Sequence, residues 1–187
     1  MTMSKKTSIM PAEILNFWFE DIDSKNWWKK DSEFDQFITD KYGDLHQRAA
    51  RCELYGWRRS IQGRLAEILV LDQFSRNIHR GSPLAFSADP LALALAQEAV
   101  ARSLDKELDD EHRVFLYMPY MHSESQKIHE QAVLLFQTLG EHSSLEFELK
   151  HKAIIDRFGR YPHRNVILGR SSTEEEVAFL KEPGSSF

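Results

Sequence analysis

Apolar residues recur three and four positions apart along almost the whole chain, while runs that alternate apolar with polar residues are scarce. That period predicts an all-α fold, an array of antiparallel helix hairpins with about eight or nine helices. The segment 61–77 constrains the arrangement most, because it is apolar nearly all round. Ile61, Leu65, Ile68 and Leu69 lie on one side, and Val70, Phe74 and Ile78 on another. Such a helix has no face suited to water and is predicted to be central and buried.

The other helices follow from start and stop signals. Pro11 opens a first helix with Ile14, Leu15 and Trp18 inward, and Ser32 is the expected N-cap of a second carrying Phe34, Phe37, Ile38 and Tyr42. Asp44 is expected to start a third with Leu45, Ala49 and Cys52 inward, ended by Gly56. After the break at Gly81, Ser82 and Pro83, Asp89 and Pro90 start an alanine-rich helix over 91–103. A shorter helix over 110–117 is expected to stop at Pro119. Ser123 caps the next, with Ile128, Ala132, Leu135, Phe136 and Leu139 inward and Gly140 as C-cap. Ser144 begins a helix presenting Phe147, Ile154, Ile155 and Phe158, terminated by Gly159 and Pro162. Thr173 and Glu176 form a capping box for a last helix with Val177 and Leu180 inward. Residues 1–9 and 182–187 are expected to be frayed tails of a single domain spanning 1–187.

The net charge of −5 argues against broad nucleic-acid or membrane binding, where a dominant basic surface supplies the affinity. Apolar runs such as 65–71 and 91–96 fall well short of the roughly 20 residues of a membrane span. Cys52 is the only cysteine, which suits a reducing, cytoplasmic compartment. The sequence has no HExxH, no histidine pair at i, i+4 and no cysteine cluster, so neither a metal nor a cofactor is expected. Serine-hydrolase, P-loop and dinucleotide motifs are also absent.

Against that acidic background, residues 151–170 carry Lys152, Arg157, Arg160, Arg164 and Arg170 with Asp156 as their only carboxylate. Guanidinium forks match carboxylate and phosphate geometry, and Gly159 and Pro162 fix the backbone that presents them. Polar residues also interrupt apolar stripes elsewhere. The central helix runs onward into Asp72, Gln73 and Arg76, with Asn77 and Arg80 a turn later. His122 and Glu124 precede the Ile128 stripe, and His151 falls on the stripe of Ile154 and Ile155. Each ends a stripe facing the core, so the three groups are expected to meet in space. The alternative is that Asp72, Gln73 and Asp156 belong to a structural network, with Asp72 the partner of Arg76 four residues on.

The stretches LDQFSRNIHRGSP (71–83), MHSE (121–124) and RFGRYPHRNVILGRSSTEEE (157–176) resemble the bacterial family known as domain of unknown function 924. The resemblance spans most of the chain and implies an all-helical fold similar to tetratricopeptide-like hairpin arrays. The repeat of about 34 residues that marks true tetratricopeptide proteins is not visible. The family carries no implied activity.

Two functions fit these residues. One is binding of a small anionic ligand, phosphorylated ones included, by Arg76, Asn77, Arg80, Arg157, Arg160, Arg164 and Asn165. His122, Glu124, His151 and His163 are then the acid–base candidates for hydrolysis or group transfer, if a reaction takes place. The other is a protein- or peptide-binding hairpin module whose polar network is structural glue.

Overall fold

A computed structural model of the chain describes residues 9–140 and 142–186. Every regular element among them is helical: α1 (Pro11–Leu15), α2 (Ser32–Ala50), α3 (Ile61–Leu69), α4 (Ser75–Ile78), α5 (Asp89–Ala101), α6 (Asp110–Met121), α7 (Gln126–Phe136), α8 (His142–Phe158) and α9 (Glu174–Phe179). A π turn at Val70–Phe74 joins α3 to α4 in one continuous rod. α1 likewise runs on through a π turn at Asn16–Asp21.

The rod holding α3 is the centre of the molecule. Leu65, Ala66, Ile68, Leu69, Val70, Leu71 and Phe74 are wholly buried, and α1, α5 and α6 all pack against α3. From α5 onward, successive helices pack as hairpins, α5 on α6, α6 on α7 and α7 on α8. Gly63 marks a tight approach in α3, where an added Cβ would lie 2.1 Å from the Trp57 carbonyl oxygen. Gly63→Ala gains about 1 kcal/mol of helix propensity but meets unyielding backbone, and overpacking typically costs ~1–3 kcal/mol. The clash wins, so urea denaturation should show a net loss; a more stable variant would contradict the packing.

Several boundaries differ from the sequence reading. Asp31, not Ser32, caps α2, with Oδ1 accepting from Glu33 N and Phe34 N. α2 then runs through Gly43 and Asp44 without a break, because Tyr42, Leu45 and Ala49 continue one buried face. It ends at Ala50, and Cys52 is exposed in a left-handed turn. α6 continues through Pro119, since burial of Tyr117, Met118, Tyr120 and Met121 outweighs a penalty of ~3 kcal/mol. Ser125 is the N-cap of α7, which ends at Phe136, well before Gly140; the Gly140 N–H instead bonds Asp110. α8 starts at His142, ahead of Ser144. Phe37, Phe147 and Val177 face solvent although their spacing placed them inward.

The stretch Pro83–Ala101 is, among the described residues, long and apolar enough to cross a membrane by length and composition. Its helix α5 packs one face, Ala92, Leu95, Ala96 and Ala99, on α3 and α6. At the C-terminal end, Ile154, Ile155, Tyr161 and Phe179 form a second small core that fastens the 159–173 loop and α9 to α8. Ser185 is buried and its hydroxyl donates to Leu180 O, so the chain stays docked beyond 182. The expected fraying of residues 1–8 and 187 lies outside the described residues.

Candidate functional site

The π turn sets the site. Within it Asp72 and Gln73 are buried, and the carbonyls of Leu71 and Asp72 each accept a side-chain hydrogen bond, from Ser75 Oγ (2.5 Å) and Arg76 Nη1 (2.7 Å). Such turns re-aim the residues beyond them, and they recur at functional sites. Here the Asp72 carboxylate receives His122 Nδ1 at 2.7 Å, Gln73 Nε2 at 2.6 Å and Arg76 Nη1 at 3.2 Å. Burial pushes the Asp72 carboxyl up, but the Arg76 guanidinium and His122 outweigh it and hold it far below the carboxylate range. An ionised Asp72 makes His122 Nδ1 the donor, so in the neutral ring Nε2 carries the lone pair. Burial and the Arg76 charge together lower His122, which keeps that form at neutral pH.

Arg76 continues the chain of charges. Its two terminal nitrogens clasp Asp89, the first residue of α5, at 3.0 and 3.1 Å. Asp89 Oδ2 in turn lies 3.7 Å from Arg164 Nη1. Asp72, Arg76, Asp89 and Arg164 thus form one line of alternating charge drawn from the central rod, α5 and the C-terminal loop, with His122 at the end of α6 bonded to its first member.

Arg164 is the unusual member. It is 7% exposed and its guanidinium lies over the Phe86 and Tyr161 rings, at 4.6 and 4.5 Å. No side-chain N–H of Arg164 makes a hydrogen bond among the described residues, and Nε is buried without a partner. Burial and the Arg76 charge push this guanidinium below its usual range, with Asp89 opposing. Ring stacking holds it, but a buried cation with unsatisfied donors is costly in a folded protein.

The rest of the C-terminal loop supports this arrangement. Glu124 accepts the Tyr161 N–H at 2.7 Å and a bidentate pair from Arg170 at 2.6 and 2.9 Å, while Arg170 Nε donates to the buried Asn165. Tyr161 is wholly buried, its hydroxyl donating to Met121 O. His151 donates Nδ1–H to Phe147 O and lies edge-on to Tyr161; burial lowers it to about 3. His163 lies against the Tyr161 ring and is lowered to about 4, by burial first and then by Arg164. Both rings are therefore neutral at pH 7.

Beneath Tyr161, His129 Nε2 donates to Ser123 O at 2.8 Å, and its Nδ1 faces Glu148 Oε1 at 2.7 Å. Burial raises the Glu148 carboxyl, with His129 and Lys152 opposing, and its second oxygen is buried without a hydrogen bond among the described residues.

The expected meeting of three polar groups is therefore realised with a change of membership. Asp72, Gln73, Arg76, His122 and Arg164 converge, with His151, His163, Glu124 and Asn165 around Tyr161. Arg160 does not join them: it clasps Glu176 at 2.6 and 2.8 Å and Ser171 O at 2.9 Å. Arg157 pairs with Glu175 on the surface, and Arg80 and Asn77 bind Asp35 of α2. Asp156 is an exposed partner of Lys152 and lies outside the network assigned to it from sequence. Asp89, Phe86, Tyr161 and Arg170 were not expected. Asp89 had read only as a helix start, and no local spacing connects it to Arg164.

Among the described residues no group of three or more His, Cys, Asp or Glu side chains is placed to hold a metal ion. A surface hollow lined by Thr39, Lys41, His46 and His79 shares no lining residue with this charge line.

The sequence profile of a family of bacterial proteins of unknown function, domain of unknown function 924, matches residues 14–184. The chain belongs to that family. It is also similar to a solved structure of a protein of unknown function from Agrobacterium tumefaciens, at 40% identity and a TM-score of 0.86. That match covers 91% of this chain and 96% of the other. No curated protein matches the chain. Membership of family 924 fixes the all-helical fold, and the function has to be argued from the site.

Proposed function

We propose that this family 924 protein binds a small anion at the Arg164 guanidinium, beside the Asp72–His122 pair. The observation that carries the reading is a cation that is more than nine-tenths buried, held over two aromatic rings, with no side-chain hydrogen bond among the described residues. Every other arginine assigned to the ligand has a carboxylate within hydrogen-bonding distance: Arg76 has Asp89, Arg80 has Asp35, Arg157 has Glu175 and Arg160 has Glu176. His122, with Nδ1 held by the Asp72 carboxylate and the lone pair on Nε2, is the acid–base candidate whose orientation best suits proton transfer. The exposed Cys52 suits the cytoplasmic location that forms part of this proposal.

Thermal shift with sulfate and acetate tests it. At tenfold over Kd, an anion bound only to the folded state adds about 1.4 kcal/mol, or about 4 °C for a domain of this size. Arg164→Met should melt at or above the wild-type temperature in buffer and lose the anion response. Arg160→Ala should melt lower, through loss of the Glu176 clasp, and keep the response. A response lost with Arg160 and retained without Arg164 would refute the assignment.

A further inference from the structure

The charges around Arg164 also select the kind of anion. Six ionic side chains meet here: Arg76, Arg164 and Arg170, against Asp72, Asp89 and Glu124. Burial keeps His151 and His163 neutral, and His122 is lowered as well, so the histidines add no positive charge at pH 7. The six are therefore balanced before any ligand arrives, with Lys30 acting on His163 from outside them. An incoming monoanion leaves them with one excess negative charge, a dianion with two. Asp89 sharpens the difference, because its Oδ2 lies 3.7 Å from Nη1 of the same guanidinium. At such distances in a partly buried site, each added like charge is strongly repelled.

Shape acts in the same direction. The Arg164 guanidinium lies over the Phe86 and Tyr161 rings, its carbon 4.6 and 4.5 Å from their centroids, so ring carbon fills part of the space around it. A planar two-oxygen acceptor meets a guanidinium edge with two parallel hydrogen bonds. A tetrahedral phosphoryl group carries further oxygens out of that plane, and any set against ring carbon finds no donor.

Resting on the anion-site reading above, we propose that the Arg164 site takes a monovalent carboxylate and discriminates against phosphate monoesters in their dianionic form. The ligand class is thus a small carboxylic acid, with its carboxylate on Arg164.

Calorimetric titration of the full chain with acetate and with methyl phosphate, at pH 5.5 and 7.5, tests this. A phosphate monoester takes its second charge with a pKa of about 6, so it is mainly a monoanion at the lower pH and a dianion at the higher. His46, His151 and His163 are lowered to about 4, 3 and 4, so those rings hold their charge state across the interval. Acetate should bind at least tenfold more tightly than methyl phosphate at pH 7.5, and methyl phosphate should weaken several-fold between pH 5.5 and 7.5. Asp89→Asn should strengthen methyl phosphate more than acetate at pH 7.5, which a merely structural Asp89 would not do. Arg157→Gln, on the surface, should change neither. Methyl phosphate binding as tightly as acetate at pH 7.5, and lost in Arg164→Met, would overturn the carboxylate assignment while leaving an anion site. Binding of neither ligand to the wild-type protein would overturn the site itself.

Discussion

Replacing Asp72 by alanine is expected to cost about 3 kcal/mol or more of stability, because its buried carboxylate is the shared acceptor of three side chains, those of Gln73, Arg76 and His122, and its loss strands them. In a domain of this size that is a fall of about 10 °C in melting temperature. Arg76 keeps its clasp on Asp89, which limits the damage. His122 loses the acceptor of its Nδ1–H, and Gln73 loses the acceptor of its amide. Asp72→Asn, which keeps an acceptor oxygen without the charge, should cost less. Chemical denaturation of the two variants side by side measures the difference. If alanine and asparagine are equally mild, Asp72 is not the organising residue of the line.

Acid should unfold this protein early. His46, His163 and His151 are lowered to about 4, 4 and 3 by burial, and His122 is lowered by burial and Arg76, from an ordinary value of 6.5. Below pH 6.5 the unfolded chain takes up protons at these four rings that the folded protein refuses. Their contribution is therefore intact above pH 6.5 and is lost as pH falls towards the folded values. His46, His151 and His163 each weaken the fold by about 1 kcal/mol per pH unit in that window, so several kcal/mol should be lost by about pH 4.5, and His122 acts in the same direction. Asp72, Glu124 and Glu176 are held below the ordinary carboxylate range, the last to about 2, and extend the loss below pH 4. Urea midpoints should fall steeply from pH 7 to 5; a flat profile over that range would show that the rings take up protons in the folded state.

How much of this could be read from sequence follows from which signals are local. The helical period, the buried rod over 61–77, the end of α8 at Gly159 and the capping box at Thr173 are all written within a few residues of where they act. The local signals that misled were Asp44, read as the start of a new helix, and Pro119, read as a stop. Glycine and proline penalties of about 1 and 3 kcal/mol are smaller than what the buried faces of α2 and α6 gain by continuing. For the site, the sequence reading of Asp72, Arg76, His122 and Arg164 rested on polar residues interrupting apolar stripes. It could not choose between Arg160 and Arg164, since both belong to one basic loop. The choice is made by Glu176, whose capping oxygens clasp Arg160, and by Phe86, Asp89 and Tyr161, which receive Arg164 from distant parts of the chain. The hidden partner Asp89 is 75 residues from Arg164 and carries no periodic mark of that contact.

The most direct measurement of the central claim is a nitrogen-15 NMR titration that follows the Nε–H signals of the arginine side chains as acetate is added. Arg164 Nε is the buried donor without an acceptor, so its proton should move downfield and saturate with the binding isotherm, while Arg157 and Arg160, each held by a carboxylate, stay in place. Movement confined to the exposed arginines, with the Arg164 signal unchanged at saturating acetate, would contradict it.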